Sequence, residues 1–174
     1  MSTSPVPPIR IETFTGPRER LRALFELAED SPAELESYLP LGQVLVAVTA
    51  GGEIVGHLQL VDTDRQGRCE LTNMAVAEAH QGSGIGRALV GSAVELLGAR
   101  ACTALVVATA AADIGNLRFY QRLGFRMCSI ERDAFTTATG YPPGVRIDGI
   151  PLRDRVWFDL PIAGITPRAA RPTR

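Results

Sequence analysis

The segment from residue 81 to residue 87 has the composition of an anion-binding turn. It consists of Gln81, Gly82, Ser83, Gly84, Ile85, Gly86 and Arg87. Three glycines within five positions remove the side chains that would keep a ligand away from the backbone. The segment comes between a predicted strand and a predicted helix, where free N–H groups and the helix dipole favour a negative charge such as a pyrophosphate.

Glycine-rich turns also occur in dinucleotide folds, in P-loops and as purely structural turns. The G-x-G-x-G spacing of Gly82, Gly84 and Gly86 differs from the G-x-G-x-x-G of dinucleotide folds. All 18 basic residues of the chain are arginines. The absence of lysine excludes a P-loop, whose lysine reaches the phosphates, and also excludes Schiff-base chemistry on a lysine amine.

Two kinds of titratable side chain are further candidates for chemistry. Glu70 lies in a predicted strand, where alternation places it on the same side as Thr72 and Met74. Partial burial would raise the pKa of its carboxyl towards that of a base, whereas a rim position or an arginine partner would make it structural. His57 is predicted to be a hydrogen-bonded histidine of the sheet, with a place on the acceptor side as the alternative, and His80 to lie at the loop surface. Since no clustered ligand spacing is present, the sequence predicts no metal site.

The predicted elements surround these residues with one sheet. Alternating or β-branched runs predict strands at residues 9–15, 44–49, 54–61, 68–76, 103–108, 125–131 and 153–160. Apolar residues at spacings of three and four predict helices at 17–30 and 84–99. End signals predict shorter helices at 32–38 and 114–123, the second of them capped by Asp113. Gly51 and Gly52 predict a tight hairpin, so the second to fourth strands should form an antiparallel meander. Residues 133–151 are rich in turn formers and predict a long loop.

The composition is that of an ordinary soluble protein. With 174 residues and a net charge of −1, the chain predicts one globular unit without the basic surface that nucleic acids require. We expect residues 1–8 to be a disordered arm, 9–162 the domain and 163–174 a flexible tail. An odd number of cysteines (Cys69, Cys102, Cys128), no signal peptide and no apolar run of membrane-spanning length indicate a cytoplasmic protein with reduced thiols and no membrane contact.

Three segments in order resemble one known family. Residues 81–86 resemble the Q/R-x-x-G-x-G/A pyrophosphate loop of the GNAT family of N-acetyltransferases. Residues 70–76 look like the family's fourth strand, and residues 116–125 look like its N-x-x-F/L-Y-x-x-x-G-F helix and turn. The resemblance implies an α/β (α+β) GNAT fold, with a mixed, mostly antiparallel sheet of about seven strands, about four flanking helices and a splay between strands 4 and 5.

The resemblance also implies a ligand and roles for individual residues. The acyl donor would be acetyl-coenzyme A, with its pantetheine arm in the splay and paired with backbone groups of Met74 and Val76. Tyr120 would protonate the leaving thiolate, and Glu70 would serve as base, as in the histone-acetylating branch. Asn116 would face the coenzyme, although a place in the helix cap is an equally good interpretation. The implied coenzyme-binding set comprises Met74, Ala75, Val76, residues 81–87, Asn116, Phe119 and Tyr120.

The predicted reaction is direct attack of a primary amine, on a small molecule or a polypeptide, on the thioester. A non-catalytic acyl-CoA sensor is the alternative, and a nucleotide-binding domain is a third interpretation. The acceptor would contact a region containing Asp30, Glu34, Tyr38, Asp133, Tyr141 and Asp148. Because GNAT proteins often dimerise, a homodimer built around the C-terminal strand and Trp157 is also an expectation.

Overall fold

A computed structural model describes residues 8–163, which form one seven-stranded sheet flanked by helices. The strands of this sheet are β1 (Ile9–Thr13), β2 (Gln43–Thr49), β3 (Ile54–Asp62), β4 (Arg68–Val76), β5 (Ala104–Ala110), β6 (Arg126–Glu131) and β9 (Arg155–Pro161). A separate ribbon pairs β7 (Arg146–Ile147) with β8 (Ile150–Pro151) inside the predicted long loop. The α-helices are α1 (Arg22–Phe25), α2 (Pro32–Tyr38), α3 (Ile85–Ala99) and α4 (Ile114–Arg122). The predicted N-terminal arm and C-terminal tail fall almost entirely outside the described residues.

The sheet has the order β1-β2-β3-β4-β5-β9-β6. All neighbours are antiparallel except β4 and β5, which run parallel from Arg68↔Ala104 to Leu71↔Val107. Beyond those residues β4 continues beside β3 alone, and β5 continues beside β9 alone. The predicted mixed sheet, the meander of the second to fourth strands and the splay between strands 4 and 5 are therefore confirmed.

A β-bulge interrupts β4 at Thr72. The pairing register shifts there, because Gln59 lies opposite Asn73 whereas Leu60 lies opposite Leu71. An extra residue in one strand resets the alternation of faces. Leu71 and Met74 consequently both pack against the α3 side of the sheet, and Asn73 turns to the α1 side.

Two hydrophobic cores lie on opposite faces of the sheet. The larger core contains the buried stripe of α3, with Leu89, Ala93 and Leu97 packed against Leu58 and other sheet residues. The smaller core packs α1 and α2 on the other face through Phe25, Leu35 and Val46. The helical periodicity of 84–99 predicted the first of these faces correctly.

The helix predicted for 17–30 is wrong in its extent. A 3₁₀ turn (Arg18–Leu21) and the single α-turn of α1 take its place. After this α-turn the backbone hydrogen bonds join residues three positions apart instead of four, as between Ala28 N and Phe25 O at 3.1 Å. Phe25 O also accepts a hydrogen bond from Asn73 Nδ2 at 3.3 Å, and this bond joins the end of α1 to β4.

Two further features concern the described part of the chain as a whole. No helix between residues 8 and 163 combines the length and the apolar character that a membrane crossing requires. In the same range, Cys69 and Cys102 are buried free thiols and Cys128 is an exposed one.

Candidate active site

A cleft of about 890 Å³ opens where β4 and β5 part. The glycine turn and the start of α3 form one end of the cleft, the splayed strands and α4 form its middle, and the α1–α2 connection together with residues of the 133–152 segment forms the other end. Clefts of this size that follow diverging strands are frequent ligand sites in proteins with sheets. Every residue of the implied catalytic and coenzyme-binding sets except Ser83 lines this one cleft, Glu70, Tyr120 and Asn116 included.

Gly82 and Gly84 leave the backbone of the turn open to a ligand. Their φ angles are +74° and +90°, a region that L side chains rarely adopt, and a Cβ at either position would meet no atom within 4 Å. Gly84 is the N-cap of α3 and provides no side-chain cap. The first helical N–H groups, at Ile85, Gly86 and Arg87, therefore lack intrahelical acceptors and are available to an anion.

Gly86 is required for close packing and not for a positive φ angle. A Cβ there would approach the Phe119 ring to 3.2 Å, so this residue allows α4 to pack closely on α3. Arg87, in the first turn of α3, and Arg118 and Arg122, on α4, also line the cleft. The Arg87 guanidinium beside the glycine turn suits a phosphate group.

The side chains of Gln81 and Ser83 hold the turn together. Gln81 Nε2 donates to Val76 O at 3.0 Å, and Ser83 Oγ donates to His80 O. Ala77 N donates to Val55 O on β3, so strand alternation turns the backbone groups of Val76 and Met74 towards the gap. The Val76 carbonyl is thus already engaged by Gln81, and the Val76 N–H and the Met74 backbone groups face the cleft.

Tyr120 is held in the middle of the cleft by aromatic contacts. Its ring makes edge contacts with Phe119 and Phe125 at centroid distances of 5.2 and 5.5 Å, and lies 6.0 Å from Phe158. Burial raises the pKa of Tyr120 above its usual value of 10, and the charge of Asp113 adds to the effect. The hydroxyl is therefore protonated at neutral pH and acts as a hydrogen-bond donor.

Asn116 belongs to the start of α4. Asp113 is the N-cap and accepts the Asn116 backbone N–H at 2.8 Å, and Asn116 Nδ2 donates to the second Asp113 oxygen at 2.8 Å. Asp113 as cap residue is as the sequence predicted. The geometry favours the structural interpretation of Asn116, although its side chain also lines the cleft.

Glu70 is half-buried where the two strands begin to part. Burial raises the pKa of its carboxyl, and the positive charge of Arg155 opposes part of that rise. The expectation that Glu70 shares a face with Met74 is wrong. The bulge at Thr72 resets the alternation, so that Glu70 lies on the α1 face with Asn73.

His57 is a histidine of the sheet interior. Its Nε2 lies 2.8 Å from Asn73 Oδ1, and its ring centroid lies 4.1 Å from that of Phe25. Asn73 Nδ2 donates to a carbonyl, so its Oδ1 must be the acceptor from His57. Burial lowers the pKa of His57 to about 4. His57 is therefore neutral near pH 7 and, as the sequence analysis favoured, is a hydrogen-bonded sheet residue.

We expect this buried histidine to make the fold sensitive to mild acid. The folded-state pKa of about 4 lies below the ordinary value of 6.5, so the unfolded chain binds a proton first as the pH falls. Lowering the pH from 7 to 5 should therefore destabilise the protein by on the order of 2 kcal/mol through this group. Urea unfolding at both pH values measures the loss. His57→Gln should flatten this pH dependence, and the control His80→Gln should retain it; equal slopes in all three proteins would contradict the assignment.

The sequence analysis missed Glu29, which lies at the far end of the cleft. Its carboxylate accepts hydrogen bonds from the hydroxyls of Tyr38, at 3.2 Å, and Tyr141, at 2.9 Å. Of the residues that the sequence analysis assigned to the acceptor, Asp30, Glu34, Tyr38 and Tyr141 also line the cleft. No local pattern distinguishes Glu29 from its acidic neighbours, because its partner Tyr141 is 112 positions away.

Asp133 and Asp148, the remaining predicted acceptor residues, are turn residues. Both have positive φ angles, of 54° and 48°, which aspartate tolerates better than most residues. Neither is among the residues that line the cleft. Within residues 8–163, no group of His, Cys, Asp or Glu side chains has an arrangement that would hold a metal ion.

Comparison with known proteins supports acetyl-CoA, the ligand that the sequence resemblance implied. Residues 10–125 match the model of the acetyltransferase (GNAT) family. A relative from Bacillus subtilis (strain 168), named an uncharacterized N-acetyltransferase (YvbK), is 32% identical over 154 residues, which cover 87% of this chain and 97% of the relative. The solved structure of a Bacillus subtilis acetyltransferase in complex with CoA is 31% identical with a TM-score of 0.80, covering 90% of this chain and 100% of that chain. A GNAT acetyltransferase from Elizabethkingia anophelis with acetyl-CoA bound is 28% identical with a TM-score of 0.79, covering 88% and 97%.

Proposed function

Because the chain belongs to the acetyltransferase (GNAT) family, whose members use acetyl-CoA, we propose that this enzyme acetylates a primary amine of a small molecule or a polypeptide by direct attack on the thioester. The observation that carries the proposal is the juxtaposition in one cleft of an open glycine turn, a protonated tyrosine and a half-buried carboxylate. The turn would bind the pyrophosphate, and the two side chains would supply the proton transfers of aminolysis.

The direct-attack mechanism needs three events at the thioester. The amine must lose a proton, the carbonyl oxygen must be stabilised as negative charge develops, and the thiolate must be protonated as it leaves. In this proposal Glu70 accepts the amine proton, directly or through a water. The backbone N–H groups at the splayed end of β4 stabilise the oxyanion, and Tyr120 donates to the sulfur.

A panel of amines tests the function. We expect release of free CoA thiol from acetyl-CoA only when an amine is added, for at least one class among polyamines, small aryl or alkyl amines and peptide N-termini. Calorimetry should detect CoA binding in the same preparation. Binding of CoA together with no amine-dependent turnover across the panel would favour the alternative function, an acyl-CoA sensor.

Glu70→Gln should lower kcat by about 100-fold, the usual size of the contribution of a general base. Since burial raises the pKa of the Glu70 carboxyl, the wild-type rate should rise with pH as this group loses its proton, and that limb should disappear in the variant. Steady-state rates across the pH range measure both effects. The control Glu53→Gln, an exposed residue beside the β2–β3 turn, should behave as wild type. An unchanged pH profile in Glu70→Gln would assign the base elsewhere.

The homodimer and the cytoplasmic location belong to the same proposal. The C-terminal strand β9, predicted to build the dimer, lies inside the sheet between β5 and β6, and β6 is the edge strand. All six residues of β6 are exposed, including Met127 and Ile130 at 52% and 68%, and this open edge supports pairing with a second copy. The three free cysteines support a reducing compartment.

A further inference from the structure

The 133–151 segment forms one wall of the far end of the cleft. It returns to the sheet through Asp133 N, which donates to Asp154 Oδ1 at 2.9 Å, and Phe135 N, which donates to Arg153 O at 3.1 Å. These bonds secure only the start of the segment. The middle of the segment is distant in sequence from the α1–α2 connection, with 112 positions between Glu29 and Tyr141. Contact between these two parts of the chain completes the wall of the cleft.

Two contacts join the middle of the segment to the α1–α2 connection. Tyr141 Oη donates to Glu29 Oε1 at 2.9 Å. Gly140, with φ of +87°, comes so close to Ser31 that a Cβ on the glycine would lie 2.5 Å from Ser31 Oγ. Tyr141 is 7% exposed, and the Phe135 ring packs edge-on against it at 4.9 Å. The contact is therefore a partly buried junction, with Tyr141 inside the protein and Glu29 partly exposed.

The hydrogen-bond directions at this junction are set by the chemistry of its members. Asn73 Nδ2 donates to Tyr38 Oη at 2.8 Å, which leaves the Tyr38 proton to be donated to Glu29 Oε2 at 3.2 Å. Ser31 N donates to Glu29 Oε1 at 2.9 Å. Burial, together with the charge of Glu29, raises the pKa of Tyr141, so this phenol also remains a donor. One carboxylate thus receives three hydrogen bonds and connects β4, α2, the α1–α2 connection and the 133–151 segment.

We propose that Glu29 is a positioning residue: its carboxylate holds Tyr38 and Tyr141 together and so fixes the shape of the acceptor end of the cleft. This inference rests on the proposed function, because that end is the acceptor end only if the glycine turn binds the coenzyme. Both tyrosines approach Glu29 as donors, and a charged carboxylate has an acceptor oxygen for each. In Glu29→Gln an NH2 donor replaces one of the two oxygens, so one of the two tyrosine hydroxyls loses its acceptor. The substitution should therefore raise KM for the acceptor amine and leave KM for the coenzyme unchanged.

The test combines a structural readout with a kinetic one. The exposed Arg146 lies inside the segment and is a site for trypsin. We expect Tyr141→Phe and Glu29→Gln each to accelerate cleavage after Arg146 roughly tenfold, equivalent to a loss of ~1.4 kcal/mol from the closed junction. In the double variant the two effects should not add, because both remove the same bond. The matched control for cleavage is Glu34→Gln, which should leave the cleavage rate unchanged. Glu34 is an exposed carboxylate at the same end of the cleft, and its side chain makes none of the hydrogen bonds of the junction.

Steady-state kinetics with an amine from the panel supply the second readout. We expect Tyr141→Phe and Glu29→Gln to raise KM for the amine roughly tenfold, with KM for acetyl-CoA unchanged. Unchanged proteolysis in Tyr141→Phe, or additive effects in the double variant, would overturn the proposal. So would equal increases of the amine KM in Glu29→Gln and Glu34→Gln without an effect of Tyr141→Phe, since that pattern indicates simple charge attraction. Proteolysis needs no acceptor, so a failure of the proposed function leaves the junction testable in its own right.

Discussion

Gly84→Ala is expected to weaken the binding of acetyl-CoA at least about tenfold, a loss of roughly 1.4 kcal/mol or more. The new methyl group would meet no protein atom within 4 Å, so it would project into the space that the pyrophosphate needs. The φ of +90° also disfavours any L residue, and a backbone that moved to relieve this strain would turn the N–H groups of α3 away from the phosphates. Calorimetric titration with CoA measures the effect.

The hairpin between β2 and β3 offers a matched control. Gly52 has a φ of +83°, and a Cβ there would also meet nothing within 4 Å, but it lies in a turn that does not line the cleft. Gly52→Ala should therefore cost a similar ~1–2 kcal/mol of backbone strain while leaving CoA affinity unchanged. If both variants bind CoA as tightly as the wild type, the glycine turn is not the pyrophosphate site. Equal weakening in both would indicate general destabilisation.

Tyr120→Phe is expected to lower kcat by about 100-fold, as removal of a general acid commonly does. The aromatic contacts of Tyr120 with Phe119, Phe125 and Phe158 all involve its ring, so phenylalanine should keep the packing and the thermal stability. KM for acetyl-CoA should stay close to the wild-type value, because the ring still forms the wall of the cleft. Thiol release under saturating acetyl-CoA measures the loss.

The dependence of the Tyr120→Phe effect on the leaving group separates catalysis from packing. A donor to the departing sulfur matters less when the thiolate is a better leaving group, so the deficit should shrink with an acyl donor whose thiol has a lower pKa. A purely structural tyrosine would give the same deficit with both donors. A kcat within about twofold of the wild type would remove Tyr120 from the mechanism, since general acids ordinarily contribute far more.

Local sequence predicted the structure correctly wherever the backbone conformation or a helix cap at one position favours one residue type. Gly82 and Gly84 have the positive φ angles that the turn needs, and Asp113 caps α4 as its position indicated. The apolar spacing of 84–99 and the turn at Gly51 and Gly52 depend on neighbours in the chain, so helix α3 and the β2–β3 hairpin were predictable. The mixed sheet and the splay were predicted from resemblance to a family, because no local rule specifies where two strands part.

Tertiary contacts decided the rest. The helix predicted for 17–30 ends at Phe25, whose carbonyl accepts a hydrogen bond from Asn73, a residue of β4 that is 48 positions away. The bulge at Thr72 places Glu70 on the face opposite Met74, although simple alternation would have joined them.

The chain by itself determined the glycine turn and the order of the main strands and helices, because these follow from residue type and short-range spacing. The proton-transfer role of Tyr120 came from the resemblance to a family. The folded molecule alone decided which carboxylate stands at which end of the cleft. Glu29 acquires its role from Tyr38 and from Tyr141, 112 positions away, and such a meeting is created by packing across the sheet and not by any neighbouring residue.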